Sequence, residues 1–220
     1  MNLVRREMAA DDWRSPPLVE QAARLEVLAH ACGLPRGEGG RPRLIEFVSA
    51  RRGEGTSTVA LQFARSLNRL AGPPVLLIDA TPSDDDSGGG MPSLVEVLDL
   101  GLPIEHAVAS LGDGLGVAKL GSLAGRGGRT RQVGYRDVWA AVRTRFAAAA
   151  VDAPALERSH DAITLAGQMD AVIVVVEAER TRAPVVEHLV NVLRRAEAPV
   201  IGTVLNKRRY RIPRFLYSRL

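Results

Sequence analysis

Short apolar runs recur along the chain at Leu44–Ser49, Val75–Asp79, Gly116–Leu120, Ala148–Asp152, Ala171–Glu177 and Val200–Asn206. Between them, apolar residues return at helical spacing over Ser57–Ala71, Tyr135–Phe146, Asp161–Gln168 and Arg182–Glu197. Stretches such as Val172-Ile-Val-Val-Val176 do not alternate with polar residues. That pattern predicts strands buried on both faces of a mostly parallel sheet. The regular exchange of strand and helix predicts an α/β domain with helices on both sides of that sheet.

The pattern divides the chain into three parts. Residues 1–42 read as an N-terminal arm, with one helix over Leu18–Ala31 after Ser15-Pro16-Pro17 and a Gly/Pro/Arg linker over Gly33–Pro42. Residues 43–206 form the α/β domain, and 207–220 form a basic, aromatic tail. Thr81–Met91, acidic and then glycine-rich, and the Gly/Arg run Ala124–Gly134 read as loops.

Bulk properties narrow the classes. With 220 residues the chain can bury a sizeable core, and 4% aromatic content makes that core one of Val, Leu, Ile and Ala. The single Cys32 excludes an internal disulfide framework and fits a reducing compartment, where it reads as a small buried apolar residue. Met1–Met8 lacks the apolar centre of a secretory signal, and no apolar run approaches the ~20 residues that span a bilayer. The expectation is a cytoplasmic protein. His30, His106, His160 and His188 have no Cys or carboxylate at metal-ligand spacing, which argues against a zinc site.

The first apolar run leads into Ala50-Arg-Arg-Gly-Glu-Gly-Thr-Ser-Thr58 and then a helix. A phosphate-binding loop has Gly or Ala, four residues, then Gly-Lys-Ser/Thr at this place. Ala50, Gly55 and Ser57 match, while Thr56 stands in the lysine slot. Gly53 and Gly55 let backbone N–H groups converge on an anion at a helix N-terminus, where the dipole favours negative charge. The candidate nucleotide contacts are therefore Gly53, Glu54, Gly55, Thr56, Ser57 and Thr58. The loop keeps the means to bind a phosphate and lacks the group that neutralises the terminal one.

Two later strands end in carboxylates, Asp79 and Asp152, where an open α/β sheet places its ligands. With the Ser57 hydroxyl they are the candidate Mg²⁺ ligands, and the candidate catalytic groups if the protein is active. Either acid could instead cap the turn that follows it. Ser57 has an alternative of its own, as a plain helix cap. Asn206 ends the last strand with an amide, whose donor and acceptor suit an adenine edge as well as a turn.

In this order, Gly-Glu-Gly-x-Ser-Thr58, Leu76-Leu-Ile-Asp79, Val151-Asp-Ala-Pro154, Asp161-Ala162, Asp170–Val176 and Val204-Leu-Asn206 resemble the bacterial tyrosine kinases. These are cytoplasmic domains that partner membrane polysaccharide co-polymerases in capsule and exopolysaccharide export. They belong with the partitioning and septum-positioning proteins among the deviant-Walker ATPases. The resemblance spans roughly Leu18 to Leu220, and the segments Pro92–Leu98 and Pro103–Val108 favour the polysaccharide branch. It implies a P-loop NTPase-like fold and ATP or ADP with Mg²⁺ as the cofactors to test.

The departures bear on activity. Thr56 replaces the lysine, and Asp79-Ala-Thr-Pro-Ser83 keeps only the first acid of the family's Asp-x-Asp-x-Arg. Gln21, Arg24 and Val27 keep only the arginine of its assembly motif, and the tyrosine cluster is reduced to Tyr210 and Tyr217. Together these losses read as a pseudokinase, a degenerate kinase-like regulator of polysaccharide synthesis held at the inner membrane by its co-polymerase partner. An active autokinase or ATPase, with Arg51 or Arg52 replacing the lysine, and a partitioning-type ATPase stay open as alternatives. The tail, rich in arginine and free of acids from Lys207 to Arg219, reads either as a solvated basic tail or as a contact for a protein partner or an anionic membrane surface, with nucleic acid the least favoured.

Overall fold

The structure is a computed structural model that describes residues 27–30, 32, 43–72, 74–82, 91–123 and 133–207. Its strands are β1 (Arg43–Ser49), β2 (Val75–Asp79), β3 (Ala109–Ser110), β4 (Leu115–Lys119), β5 (Ala148–Asp152), β6 (Ala171–Glu177) and β7 (Val200–Asn206). Its helices are α1 (Thr56–Ala71), α2 (Leu94–Asp99), α3 (Tyr135–Arg145), α4 (Asp161–Ala166) and α5 (Ala183–Arg195), with a 3-10 turn over Ile104–Ala107. The strands form one sheet in the order β3-β4-β2-β5-β1-β6-β7. All neighbours pair in parallel except β3 and β4. The predicted α/β architecture with a mostly parallel sheet is the one observed.

Period-two alternation within the strands sorts the core into two layers. From β1, Leu44 and Val48 join the layer made with Trp139 of α3, Leu165 of α4 and Leu189 and Leu193 of α5. Ile45 and Phe47 point to the opposite layer, against Phe63, Ala64 and Leu67 of α1. There the Phe47 and Phe63 rings lie 5.0 Å apart between centroids, tilted by 59°. Glu46 shares the face of Leu44 and Val48, is fully buried, and has no partner for either carboxyl oxygen among the described residues. Burial pushes its carboxyl well above the usual carboxylate range.

The chain leaves β1 through α1 toward β2 on one side, and leaves β5 through α4 toward β6 on the other. This reversal opens a crevice at the carboxyl ends of β1 and β5, the usual ligand position in such sheets. At the opposite end, Asp170 Oδ2 accepts from the Leu44 N–H at 2.7 Å and pairs with Arg143 Nη1 at 2.7 Å.

Observed boundaries differ slightly from expectation. β4 starts and stops one residue earlier, and α3, α4 and α5 are each shorter than their periodic patterns. The predicted N-terminal helix is seen as helix over 27–30, while 18–26 lies outside the described residues, as do Gln21, Arg24, Ser83, Tyr210, Tyr217 and the tail after Lys207. Three elements were not expected: α2, the 3-10 turn and β3. The first is closed by a capping box in which the Glu96 N–H donates to Ser93 Oγ and the Ser93 N–H to Glu96 Oε2. Cys32 is buried, and desolvation raises its thiol to about 11.

Candidate functional site

β1 delivers the chain to the crevice at Ser49, and the loop over 50–55 turns it into α1. Two left-handed residues make this turn, Gly53 at φ 80° and Gly55 at φ 90°. Gly55 has a second reason to be glycine: an added Cβ would lie 2.1 Å from Asn206 Nδ2. Among the described residues no side chain caps α1. The N–H groups of its first turn, Thr56, Ser57 and Thr58, have no intrahelical partner and face the crevice end of the sheet. Unpaired N–H groups and a helix dipole at one point are the arrangement that favours an anion.

The lysine slot is occupied in a way the sequence does not reveal. Thr56 is buried, and its hydroxyl donates to Ser49 Oγ at 2.9 Å beneath the loop. Only its backbone N–H remains available to a ligand. Arg51 and Arg52 are exposed, and their backbone N–H groups are held by carboxylates, Arg51 by Glu54 Oε2 at 2.9 Å and Arg52 by Glu157 Oε1 at 2.6 Å.

Glu54 contributes its backbone to the loop and turns its side chain away from it. The carboxylate is buried and accepts from the Arg51 N–H, from the Glu177 N–H at 3.4 Å, and from the Thr181 hydroxyl. From β7, Asn206 Nδ2 donates to the Glu54 carbonyl at 2.9 Å. Lys207 Nζ donates to the Gly53 carbonyl and lies 3.3 Å from Glu177 Oε2. Because Asn206 faces a carbonyl, its amide nitrogen must be the atom on the loop, which leaves Oδ1 free to accept. An acceptor suits the exocyclic amino group of adenine and opposes the carbonyl of guanine.

The two acids lie side by side, since Asp79 of β2 pairs in register with Asp152 of β5. They differ in environment. Asp79 Oδ1 accepts from both the N–H and the hydroxyl of Thr81, at 2.9 and 2.5 Å, so this carboxylate does cap its own turn. Asp152 is buried, with Oδ1 unpartnered among the described residues. Burial raises its carboxyl to about 7, the Ser57 hydroxyl bonded to it pulls it partly back, and the charge of Asp79 raises it further. An orphaned buried carboxylate oxygen beside a hydroxyl is a hard-oxygen donor set, and it fits Mg²⁺, which takes one or two carboxylates and completes its shell with water and phosphate. Among the described residues no group of three or more His, Cys, Asp and Glu is placed to hold a metal by itself.

The site therefore brings together the loop, Ser57, Asp79, Asp152 and Asn206, all expected from sequence. It adds Glu54 as a loop brace through its side chain, and Glu177, Thr181 and Lys207, which were not expected. The Asn206-Lys207 pair at a strand end was the available signal for the last. Glu177 and Thr181 had none.

No family model and no curated protein matches the sequence. Solved structures do match in fold. The VpsO kinase domain superposes with a TM-score of 0.65 at 25% identity, covering 86% of this chain and 97% of that one. The kinase domain of the Escherichia coli tyrosine kinase ETK gives 0.61 at 17% identity, covering 88% of this chain and 78% of that one. A ParA family ATPase from Chlorobium tepidum gives 0.59 at 18% identity, covering 75% of this chain and 74% of that one. The chain has the fold of bacterial tyrosine kinase domains, shared with the ParA-type ATPases, as its motifs suggested.

Proposed function

We propose that this chain is a catalytically degenerate relative of the bacterial tyrosine kinases that binds an adenine nucleotide and regulates exopolysaccharide or capsule synthesis beside a membrane polysaccharide co-polymerase. The observation that carries the reading is the lysine slot. Positioning and charge neutralisation are most of phosphoryl-transfer catalysis, and Thr56, buried against Ser49, supplies neither. The anion-receptive helix start and the Asn206 amide survive that loss, so nucleotide remains a reasonable ligand in a structural role. Ser57, Asp152 and the second carboxyl oxygen of Asp79 would hold Mg²⁺, which would supply neutralisation of phosphate charge. Membrane attachment through the partner is part of the proposal. Among the described residues no helix is long and apolar enough to cross a membrane.

The retained acid pair supports one competitor, an active ATPase or autokinase. A single experiment separates the two. Phosphate release from MgATP by the purified protein should match a control without protein, and no phosphotyrosine should form. Turnover on the order of ~1 s⁻¹, within the ordinary enzyme range, overturns the regulator reading. The partner is tested by co-purification with the co-polymerase of the same organism, and absence of a complex at micromolar concentration would sink that part alone.

A further inference from the structure

Two consecutive carbonyls of the phosphate loop are pulled toward the same strand. The Gly53 carbonyl accepts from Lys207 Nζ, and the Glu54 carbonyl accepts from Asn206 Nδ2 at 2.9 Å. A trans peptide is planar, with its C=O and N–H on opposite sides. Drawing the Gly53 carbonyl toward β7 therefore sends the Glu54 N–H away from β7. The same holds one peptide later, where the Glu54 carbonyl fixes the Gly55 N–H. Two successive N–H groups then point together, in the arrangement that makes an anion-binding concavity.

The contacts on Lys207 mark it as held for this purpose. Its backbone is left-handed, at φ 56°, a conformation in which a lysine is uncommon. Its ammonium is fixed from the other side by Glu177, whose carboxylate is 15% exposed. Glu177 in turn lies beside Glu54, since its N–H donates to Glu54 Oε1. Loop, β6 end and β7 end are thus joined around one cation.

We propose that Lys207, with Asn206, is a positioning residue that presets the Glu54 and Gly55 N–H groups for a phosphate; the inference rests on the nucleotide-binding reading above. The cation serves the loop from behind, by orienting donors, where an ordinary phosphate loop places a lysine directly on the ligand. An anion site without its own lysine depends more heavily on donors that are already aimed, because reorienting them on binding reduces affinity.

The test uses the full chain, Lys207→Met, which keeps the stem and loses the donor, and Lys207→Arg. In the free protein, the Glu54 and Gly55 amide resonances should move and exchange faster in Lys207→Met, while the Val174 amide of β6 stays protected. MgADP and MgATP affinity should fall about three- to ten-fold, because donors that are no longer aimed must be ordered on binding. Lys207→Arg should recover part of both. Unchanged Glu54 and Gly55 amides in Lys207→Met overturn the proposal whether or not nucleotide binds. If the unmodified protein binds no nucleotide, the nucleotide reading fails, and the two amides still decide the role of Lys207. If Lys207→Met loses Val174 protection, the decision passes to Lys207→Arg, where unmoved loop amides together with unchanged affinity overturn the proposal.

Discussion

The Thr56 hydroxyl donates to Ser49 Oγ at 2.9 Å, and the Ser49 hydroxyl donates in turn to the Arg51 carbonyl at 3.0 Å. A residue in the position of a ligand-gripping lysine thus belongs to a small buried chain of hydrogen bonds that fastens the loop to β1. The substitution removes a charge and adds a tie.

Thr56→Lys should therefore act in opposite directions on binding and stability. A restored charge-assisted bond of ~1.5–3 kcal/mol would tighten MgATP binding roughly ten- to hundred-fold. Loss of the tie to Ser49 should lower unfolding free energy by about 1 kcal/mol. Titration calorimetry and urea melts read the two effects separately. No gain in affinity would mean that the loop amides do not face the nucleotide.

Gly53→Ala and Gly55→Ala should differ although both residues are left-handed. At Gly53 no described residue lies within 4 Å of the added Cβ, so only backbone strain of ~1–2 kcal/mol is expected. At Gly55 the Cβ meets the Asn206 amide, so the same strain is joined by displacement of Asn206 from the Glu54 carbonyl. Thermal melts should rank Gly55→Ala as clearly less stable. Equal melting temperatures would mean that the Asn206 contact contributes nothing.

Glu46 should make the fold less stable as pH rises. Its native carboxyl lies well above the ordinary value of 4.5, so the unfolded chain ionises first. Well below pH 4.5 both states are protonated and the effect vanishes. Above it the unfolded state binds fewer protons, and native stability declines with pH until the folded carboxyl itself titrates. Glu46→Met, similar in length and without a carboxyl to bury, should stabilise the protein more at pH 8 than at pH 4. A gain of equal size at both, measured by urea melts, would contradict the buried-acid account.

Cys32 should be nearly inert. With its thiol raised to about 11, only roughly one in a thousand is thiolate at pH 8. Iodoacetamide should label the native protein at least a hundred-fold more slowly than the urea-unfolded one. Fast native labelling would place the thiol outside the layer it shares with Ala29 and Phe63.

Much of this fold was readable because its central strands β1, β2, β5 and β6 are buried on both faces, while β7 at the edge alternates half-buried and exposed positions. A run such as Val172–Val176 allows little else once glycine and polar residues bound it. α2 was missed for its length of six residues, too short for a helical period to show, although Ser93 and Glu96 carried the capping-box spacing. β3 is two residues and exists only through pairing with β4. At the site, the backbone-driven parts were legible, since glycines, a helix start and strand-end acids are local signals. The braces were not: Thr181 meets Glu54 across 127 positions and Lys207 meets Gly53 across 154. Such contacts are set by the sheet order and leave no local trace.

That separation has a consequence for how the domain is made. The loop is among the first parts of the sheet to leave the ribosome, yet the side chains that aim its amides arrive with β7. Until that strand docks, a nascent chain can hold β1, α1 and β2 in place and still present an unaimed loop. Non-local pairing of this kind is slow to form because loop closure precedes its reward. Ligand competence should appear in the last kinetic phase of folding, so that a bound nucleotide would report the completed sheet.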